Sequence, residues 1–199
     1  MNNILPIHEQ NSQEIEYLYN YYRGNQPILN REKRIRPEIN NKVVENHAYE
    51  IVEFKTGFTF GEPVQYVQRT REKTDSSTEV IETKLVSRLN ELMFLNDKAS
   101  KDRELGEWMF IAGVGYRMAL PNSTDNYSPF IMDILDPRNT FVVYSTGFNK
   151  RPILGGLIVK LEDEDEDEKH IISVYSETTY WEIEWDNGSG ELNIVNEQP

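Results

Sequence analysis

The amino-acid sequence predicts an α+β fold, with N-terminal amphipathic helices over residues 1–113 packed on a C-terminal antiparallel β-meander over residues 114–199. In the first part, apolar side chains recur every three or four residues, which is the period of an α-helix. In the second part they alternate with polar side chains, as in strands that have one buried face. Short runs rich in glycine, asparagine and proline separate the segments and predict turns. We expect the two parts to form one continuous domain.

The first predicted helix spans residues 9–22. Its apolar side chains fall on one face at helical spacing, and Gly24 is expected to end it, as glycine does after many helices. That face comprises Ile15, Leu18, Tyr19 and Tyr22.

The second predicted helix begins near Pro37. Backbone N–H groups in the first turn of a helix have no partner within the helix, so a proline there loses no hydrogen bond. Gly57 is expected to stop it, and the proline of Gly61-Glu62-Pro63 cannot continue it. A short strand is predicted over residues 64–67 and a loop over residues 69–77. The broad apolar stripe of this helix comprises Ile39, Val43, Val44, Ala48, Ile51, Val52 and Phe58.

Two further helices are predicted before residue 114. Ser76-x-x-Glu79 has the form of a capping box in front of an apolar run, which indicates the start of the third helix. Asn96 or Asp97 is expected to cap the fourth, and Gly113-Val114-Gly115 is expected to end it.

Seven antiparallel strands are predicted in the second part. In the sixth, Trp181, Ile183 and Trp185 alternate with Glu182 and Glu184, which predicts one buried and one solvated face. The run at residues 186–190 supplies the asparagine and glycines that a hairpin loop needs. The strands span residues 116–120, 130–135, 140–144, 154–161, 171–176, 180–185 and 191–195.

The composition of the chain excludes several classes of protein and site. Its 199 residues suffice for a sizeable core, and it contains no cysteine, which excludes disulfides and thiolate zinc sites. No apolar stretch approaches the length of a membrane span, and residues 1–6 lack the features of a signal peptide. We therefore expect a protein made in a cytoplasm, with no membrane partner.

The charge of the chain is strongly acidic, at a formal −13, and seven of its acidic residues form one run at residues 162–168. Like charges repel, so the run is expected to be a solvated loop between two strands. It lacks the glycine and the spacing of a calcium-binding loop, so no metal site is expected there.

Nonspecific binding to DNA is not expected of so acidic a chain, because phosphate contacts require cationic side chains. One basic cluster interrupts the acidic character and is a candidate contact patch for DNA or for an acidic neighbour. It comprises Arg31, Lys33, Arg34 and Arg36.

The motifs of common catalytic and cofactor sites are absent. The chain has no P-loop and no nucleophile elbow, and His8, His47 and His170 are too scattered to ligate a metal together. We therefore predict no catalytic residue, no cofactor site and no metal site.

A metal-dependent nuclease is the one enzymatic alternative with any motif. Glu53-Phe54-Lys55 and Glu82-Thr83-Lys84 both have the Glu-x-Lys form of such enzymes. Both lie on predicted helices, where residues two apart point about 200° away from each other and cannot converge on one metal. Solvated helix surface is the preferred interpretation.

Taken together, the motifs in order resemble the N-terminal part of tailed-bacteriophage portal proteins of the siphophage and prophage type. The similar stretches include residues 21–28, the asparagine-rich segment at residues 40–46 and residues 102–116. The positions that carry the resemblance are Asn41, Tyr49, Gly57, Gly61 and Pro63, followed by Asp136 and Pro137 in residues 134–144. Gly57 and Gly61 also have a purely structural explanation as helix ends, Pro63 as a strand start, and Asp136-Pro137 as a turn.

The resemblance implies a structural protein rather than an enzyme. Portal subunits form a ring, usually of twelve copies, at one vertex of the capsid, and DNA enters and leaves along its axis. The expected partners are other portal subunits, the terminase, the capsid and head-completion proteins. The protein would be made in the bacterial host cytoplasm and end in the virion.

By the same resemblance, the chain corresponds to the peripheral wing of a longer subunit, whose channel-lining and clip segments would follow it. DNA would pass through the full ring without binding this part. The alternative is a small phage or bacterial adaptor or scaffold protein.

Overall fold

The computed structural model describes residues 1, 3–68, 76–122, 128–160, 169–186 and 190–198, with only the backbone at residues 76–83 and 169. Helices come first along the chain and antiparallel strands follow, so the predicted α+β class is confirmed. The chain divides into two compact units. The sheet unit comprises Met1–Glu14 and Asp136–Pro199, and the helical unit comprises Ile15–Leu135.

The helical unit contains most of the helices and one pair of strands. Helix α1 spans Leu5–Tyr22, beginning earlier than predicted, and only its second half belongs to this unit. A short 3-10 helix at Pro27–Asn30 follows. The other elements are α2 (His47–Phe60), α3 (Ser76–Leu95), α4 (Lys98–Ala112), β1 (Tyr116–Pro121) and β2 (Phe130–Leu135), the last two forming an antiparallel pair.

Helices α2 and α4 pack directly against each other. Val52 and Thr56 of α2 are 5% and 1% exposed, so this face of the helix is buried. On α4, Gly106 is buried, and a Cβ atom at this position would overlap the ring of Phe60. The missing side chain is therefore what allows the two helices to approach each other here.

The second helix begins later than predicted, at His47 rather than near Pro37. Asn46 caps it, because its side chain accepts a hydrogen bond from the N–H of Tyr49. Residues 31–46 form no helix, and Arg36 has a φ of 54°, which a right-handed helix does not permit. The apolar spacing of Ile39 and Val43 misled the prediction, since both side chains remain exposed.

Gly57 does not stop this helix, which continues to Phe60. Glycine inside a helix costs only about 1 kcal/mol relative to alanine, which packing against a neighbouring helix outweighs. The predicted strand at residues 64–67 is also absent. In its place, the side chain of Asn90 on α3 bonds both the N–H and the C=O of Tyr66, at 3.0 and 2.9 Å, as a strand partner would.

The ends of α3 and α4 agree with the predicted positions. Helix α3 begins at Ser76, the first residue of the predicted capping box, whose side chains lie outside the described residues. Asp97 occupies the N-cap of α4 but makes no capping bond with its side chain, and Gly113 ends α4 with a φ of 75°. That conformation is one that glycine adopts without strain.

The sheet unit is built on a five-stranded antiparallel meander in the order β3-β4-β5-β6-β7. All five strands were predicted, and their bounds differ from the prediction only at the ends. They span Thr140–Tyr144, Pro152–Lys160, Lys169–Ser176, Tyr180–Asp186 and Leu192–Gln198.

The core of the sheet unit lies on one face of this meander. Ile172 on the central strand is 0% exposed, and Leu5 from the start of α1 packs in the same cluster. Ile183 is buried, and Trp181 and Trp185 pack against the cluster, as their alternation predicted. The remaining members are Phe141, Ile158 and Val174.

Three predicted segments fall wholly or mostly outside the described residues: positions 69–75 of the loop predicted at 69–77, the acidic run at residues 162–168, and positions 187–189 of the hairpin loop predicted at 186–190. Among the helices that the structure describes, none combines the length and the apolar character needed to cross a membrane.

Candidate functional site

Metal-ligating side chains are dispersed in the described residues. No group of three or more His, Asp or Glu side chains there could hold a metal ion. His47 is exposed on α2 and bonds the carboxylates of Glu45 and Glu50, at 3.1 and 3.0 Å, which raise its pKa. Both partners are its neighbours along the chain, so this cluster is local to the start of the helix.

His8 and His170 line a cavity of about 510 Å³ within the sheet unit. Burial lowers the pKa of His8, against a hydrogen bond to the backbone of Arg138 that raises it, so the ring is neutral near pH 7. His170 packs on Trp185 with ring centroids 5.2 Å apart. Both histidines of the cavity wall thus have partners within the protein.

Asp136 and Pro137, two of the residues that carry the family resemblance, form the turn that enters this unit. One carboxylate oxygen of Asp136 accepts the backbone N–H of Arg138 at 2.9 Å, and both accept from its guanidinium. Pro137 is among the most deeply buried side chains of the chain. These residues therefore have a structural role, which is to hold the turn in front of β3.

The other positions of the resemblance surround α2. Asn41 lies in the exposed segment before the helix, and its carbonyl accepts a bond from Arg31 at 3.2 Å. The ring of Tyr49 packs on Tyr22 with centroids 5.4 Å apart. Gly61 caps the end of the helix, where a Cβ atom would lie 2.5 Å from the carbonyl oxygen of Gly57, and Pro63 follows in exposed coil.

The basic cluster of Arg31, Lys33, Arg34 and Arg36 lies in the exposed segment of residues 31–46. Within the described residues, Lys33 donates to the carbonyl of Ile39 at 2.8 Å and Arg31 donates to Asn40 and Asn41, so these hydrogen bonds are local. The side chains hold the shape of their own loop and present positive charge to the surroundings.

We expect the chain not to bind duplex DNA at physiological salt, because its net charge of −13 opposes contact with phosphates. A fluorescence anisotropy titration to about 100 μM protein tests this, since ordinary nonspecific affinities reach the micromolar range. Low-micromolar binding that Arg34→Glu with Arg36→Glu abolishes would instead identify the basic cluster as a DNA contact.

The Glu-x-Lys sequence on α2 does not form a shared site. Glu53 accepts hydrogen bonds from Tyr22 and Arg103, while the Lys55 ammonium lies 5.6 Å from the centre of the Phe110 ring. The two side chains have separate partners, as their helical spacing predicted. In the second copy the side chain of Glu82 lies outside the described residues.

Tyr22 links three helices of the helical unit. Its hydroxyl lies 2.5 Å from Glu107 of α4 and 3.2 Å from Glu53 of α2. Burial and these two carboxylates raise the pKa of Tyr22 well above its ordinary value. The hydroxyl therefore stays protonated and acts as a hydrogen-bond donor to the carboxylates. This partly buried cluster joins α1, α2 and α4.

In the part of the chain that the structure describes, the face of α2 that points away from α4 is apolar and exposed. Ile51, Phe54 and Phe58 are 55%, 75% and 85% exposed, and the rings of Phe54 and Phe58 stack with centroids 6.4 Å apart. We call these three residues the α2 stripe. At about 100° per residue, the stripe lies opposite the buried face of Val52 and Thr56. A helix that is apolar on both faces is typical of one that is covered on both.

The sequence pattern predicted one broad apolar face on this helix, whereas the structure has two. Ile51, Val52 and Phe58 were assigned to one broad face, although Val52 points to α4 and Phe58 to solvent. The spacing of Phe54 and Phe58 could have indicated the second face, because it places two large aromatic rings opposite Thr56 on the helix.

Gly57 lies beside the stripe at an exposed position, and a Cβ atom built there has no neighbour within 4 Å among the described residues. We expect Gly57→Ala to stabilise the isolated chain by about 0.5–1 kcal/mol, since alanine has the higher helix propensity and reduces the freedom of the unfolded chain. Urea unfolding followed by circular dichroism at 222 nm measures this. A loss of stability would mean that the space beside the helix is occupied.

Comparison with known families identifies the chain. The family model described as phage portal protein, SPP1 Gp6-like, matches residues 2–199. The chain belongs to this family. Portal proteins are structural, non-enzymatic components of the phage capsid, and their subunits assemble into rings. No curated protein matches the chain. An uncovered apolar helix face on a portal subunit is therefore a candidate assembly surface.

Proposed function

We propose that this protein is a structural subunit of the portal ring at one capsid vertex, the passage through which phage DNA is packaged and later ejected. The match of the portal family model to residues 2–199 is the observation that carries the proposal. The proposal includes three further properties of portal proteins. The ring usually has twelve copies, the terminase docks on it during packaging, and head-completion proteins dock on it afterwards. Synthesis in the bacterial host cytoplasm precedes assembly.

The distribution of polar and apolar groups supports a structural role. In the described residues two of the perturbed titratable groups, Tyr22 and Asp102, are bonded to protein partners inside the helical unit. The surface of α2 instead presents large apolar side chains, which are typical of protein contacts. Such an arrangement favours assembly over catalysis.

Within the ring subunit, we assign the chain to the peripheral wing, with residues 1–113 as its mainly helical part and residues 114–199 as its β part. The acidic net charge of −13 supports a position away from the DNA path. The basic cluster of residues 31–36 is then positioned to meet an acidic neighbour rather than DNA.

A genetic complementation experiment tests the proposed function. A stop codon early in the gene of the parent phage is expected to leave capsids that contain no DNA, and supply of the full-length gene from a plasmid is expected to restore filled heads. Antibody against this chain, seen by electron microscopy, is expected to mark one vertex per capsid. Filled heads without the protein, or label over the whole shell, would contradict the proposal.

A further inference from the structure

We propose that the α2 stripe of Ile51, Phe54 and Phe58 packs against a second copy of this chain, meeting a different surface on that copy so that the contact runs head to tail around the ring. The inference rests on the proposed function and names the contact face that it requires. It follows from the position of the stripe, its size, its charge and the glycine beside it.

The stripe is comparable in size to the largest apolar patch of an ordinary monomer, and such patches are often functional. From the areas of aromatic and aliphatic side chains and their exposed fractions, it presents roughly 400 Å² of apolar surface. That equals a large patch on an ordinary monomer and about half of one side of a standard protein interface, which is about 800 Å² per partner. The stripe is therefore of the right size to be the centre of an interface.

The charges around the stripe favour a protein partner of mixed charge. The three side chains are uncharged, which excludes a contact that depends on phosphates. By helical spacing, Glu50 borders the stripe on one side and Lys55 on the other, so its rim carries both signs. A second copy of the chain, which exposes residues of both signs such as Arg34 and Glu45, can match such a rim.

The net charge of the chain explains why such a contact would be apolar. Two copies at −13 repel each other at long range, so association depends on burial of an uncharged surface. Salt screens that repulsion and leaves apolar burial intact. Self-association through the stripe is therefore expected to become stronger as the salt concentration increases. Binding of the chain to a polyanion would instead become weaker as the salt concentration increases.

Gly57 lies on the exposed side of α2, on the same side of the stripe as Glu50, and no atom of the described residues lies within 4 Å of a Cβ built there. An exposed glycine in mid-helix weakens the helix, and the packing of the subunit itself gives no reason for it. It leaves the helix backbone open to close approach by a neighbour, as Gly106 does for Phe60 on the buried side.

The geometry of a ring determines how the stripe is used. Contact between two identical stripes would be two-fold symmetric and would end at a dimer. A closed ring requires each copy to offer two different surfaces, one to each neighbour. The stripe must therefore meet another part of the next copy, and residue 58 of one copy does not meet residue 58 of its neighbour.

Sedimentation velocity of the purified chain from about 5 to 500 μM tests the contact, a range that covers weak associations. We expect concentration-dependent association that increases between 0.1 and 1 M NaCl, where screening is strong. The variant Phe54→Gln with Phe58→Gln is expected to remain a monomer. Its circular dichroism should match the wild type, since both rings are mostly exposed.

Phe94→Gln is the matched control, because Phe94 on α3 is 84% exposed and lies outside the stripe. It is expected to associate like the wild type. A wild type that stays monomeric overturns the inference, and so does equal loss of association in the Phe94 variant or unchanged association in the double variant. If the stripe variant associates normally while the gene still restores filled heads, the contact face is wrong and the proposed function stands.

The head-to-tail arrangement has its own test, which the absence of native cysteine makes clean. In the Phe58→Cys variant the introduced thiol is the only one, so oxidation can join two copies only through residue 58. We expect no enrichment of disulfide-linked dimer under oxidising conditions where the protein associates. Efficient formation of that dimer would show a two-fold contact and overturn the ring geometry.

Discussion

Replacing Asp102 with alanine is expected to lower the free energy of unfolding of the helical unit by about 3–5 kcal/mol. Asp102 is 7% exposed and pairs with both Lys98 and Arg117. Lys98 is itself 8% exposed, and its ammonium also donates to the carbonyl of Val64 at 3.0 Å. Loss of the carboxylate leaves the buried Lys98 ammonium and the partly buried Arg117 guanidinium without their anion, which is why the expected effect is large.

Circular dichroism at 222 nm during urea unfolding follows this change, because α2, α3 and α4 all lie in the helical unit. Asp133→Ala is the matched control, since Asp133 is 75% exposed and lies 3.9 Å from Lys101. Such a surface pair contributes about 0–1 kcal/mol. If the two variants lost equal stability, the Lys98–Asp102–Arg117 cluster would not be the buried ion network described above.

The same cluster predicts a dependence of stability on pH. Burial alone would raise the pKa of Asp102, but the hydrogen bonds and charges of Lys98 and Arg117 outweigh it, so the pKa lies below its ordinary value. A lowered pKa in the folded state means that the stabilisation is present above the unfolded pKa of about 3.9 and is lost as the pH falls through the folded value. The difference between wild type and Asp102→Ala is therefore expected to shrink in acid.

Replacing Ile172 with alanine is expected to destabilise the sheet unit by about 2–5 kcal/mol. Ile172 is 0% exposed on β5, the central strand of the meander, and packs in the cluster with Leu5 and Ile183. A strand at the centre is held on both sides, so the surrounding residues collapse only partly into the space that alanine leaves. Ile172→Val removes a single methylene and is expected to lose about 0.5–1.5 kcal/mol.

Tryptophan fluorescence separates this effect from changes in the helical unit. In a Trp108→Phe background the remaining tryptophans, Trp181 and Trp185, both lie in the sheet unit. Ile194→Ala on β7 is the control, because Ile194 is 64% exposed and its loss leaves little or no cavity. Equal effects at positions 172 and 194 would contradict the placement of the core on β5.

The strands were predicted well because their signals are local. Alternation of Trp181, Ile183 and Trp185 with glutamates defines one apolar face whatever lies beyond the sheet. Gly190 adopts a φ of 73° at the end of the loop between β6 and β7, as the glycine-rich run predicted. Since each hairpin joins neighbours in sequence, an antiparallel meander needs little information beyond these patterns.

The errors around α2 have the opposite cause. Apolar spacing at Ile39 and Val43 continues the pattern of the true helix, yet Asn46 provides the cap that starts it. The strand expected at residues 64–67 gave way to the side chain of Asn90, which lies 24 positions from Tyr66 along the chain. Hydrogen bonds between distant residues leave no periodic signal, so the sequence pattern did not reveal them.

By itself, the sequence determined the α+β class, the seven strands, most of the helix ends and the resemblance to portal proteins, because each depends on local periodicity or on the order of motifs. Only the tertiary structure decided which face of α2 packs on α4 and which remains open, and that Asp102 joins Lys98 to Arg117. Burial is a property of what surrounds a residue. The sequence shows the same residue type whether its side chain is covered by a neighbouring helix or exposed to solvent.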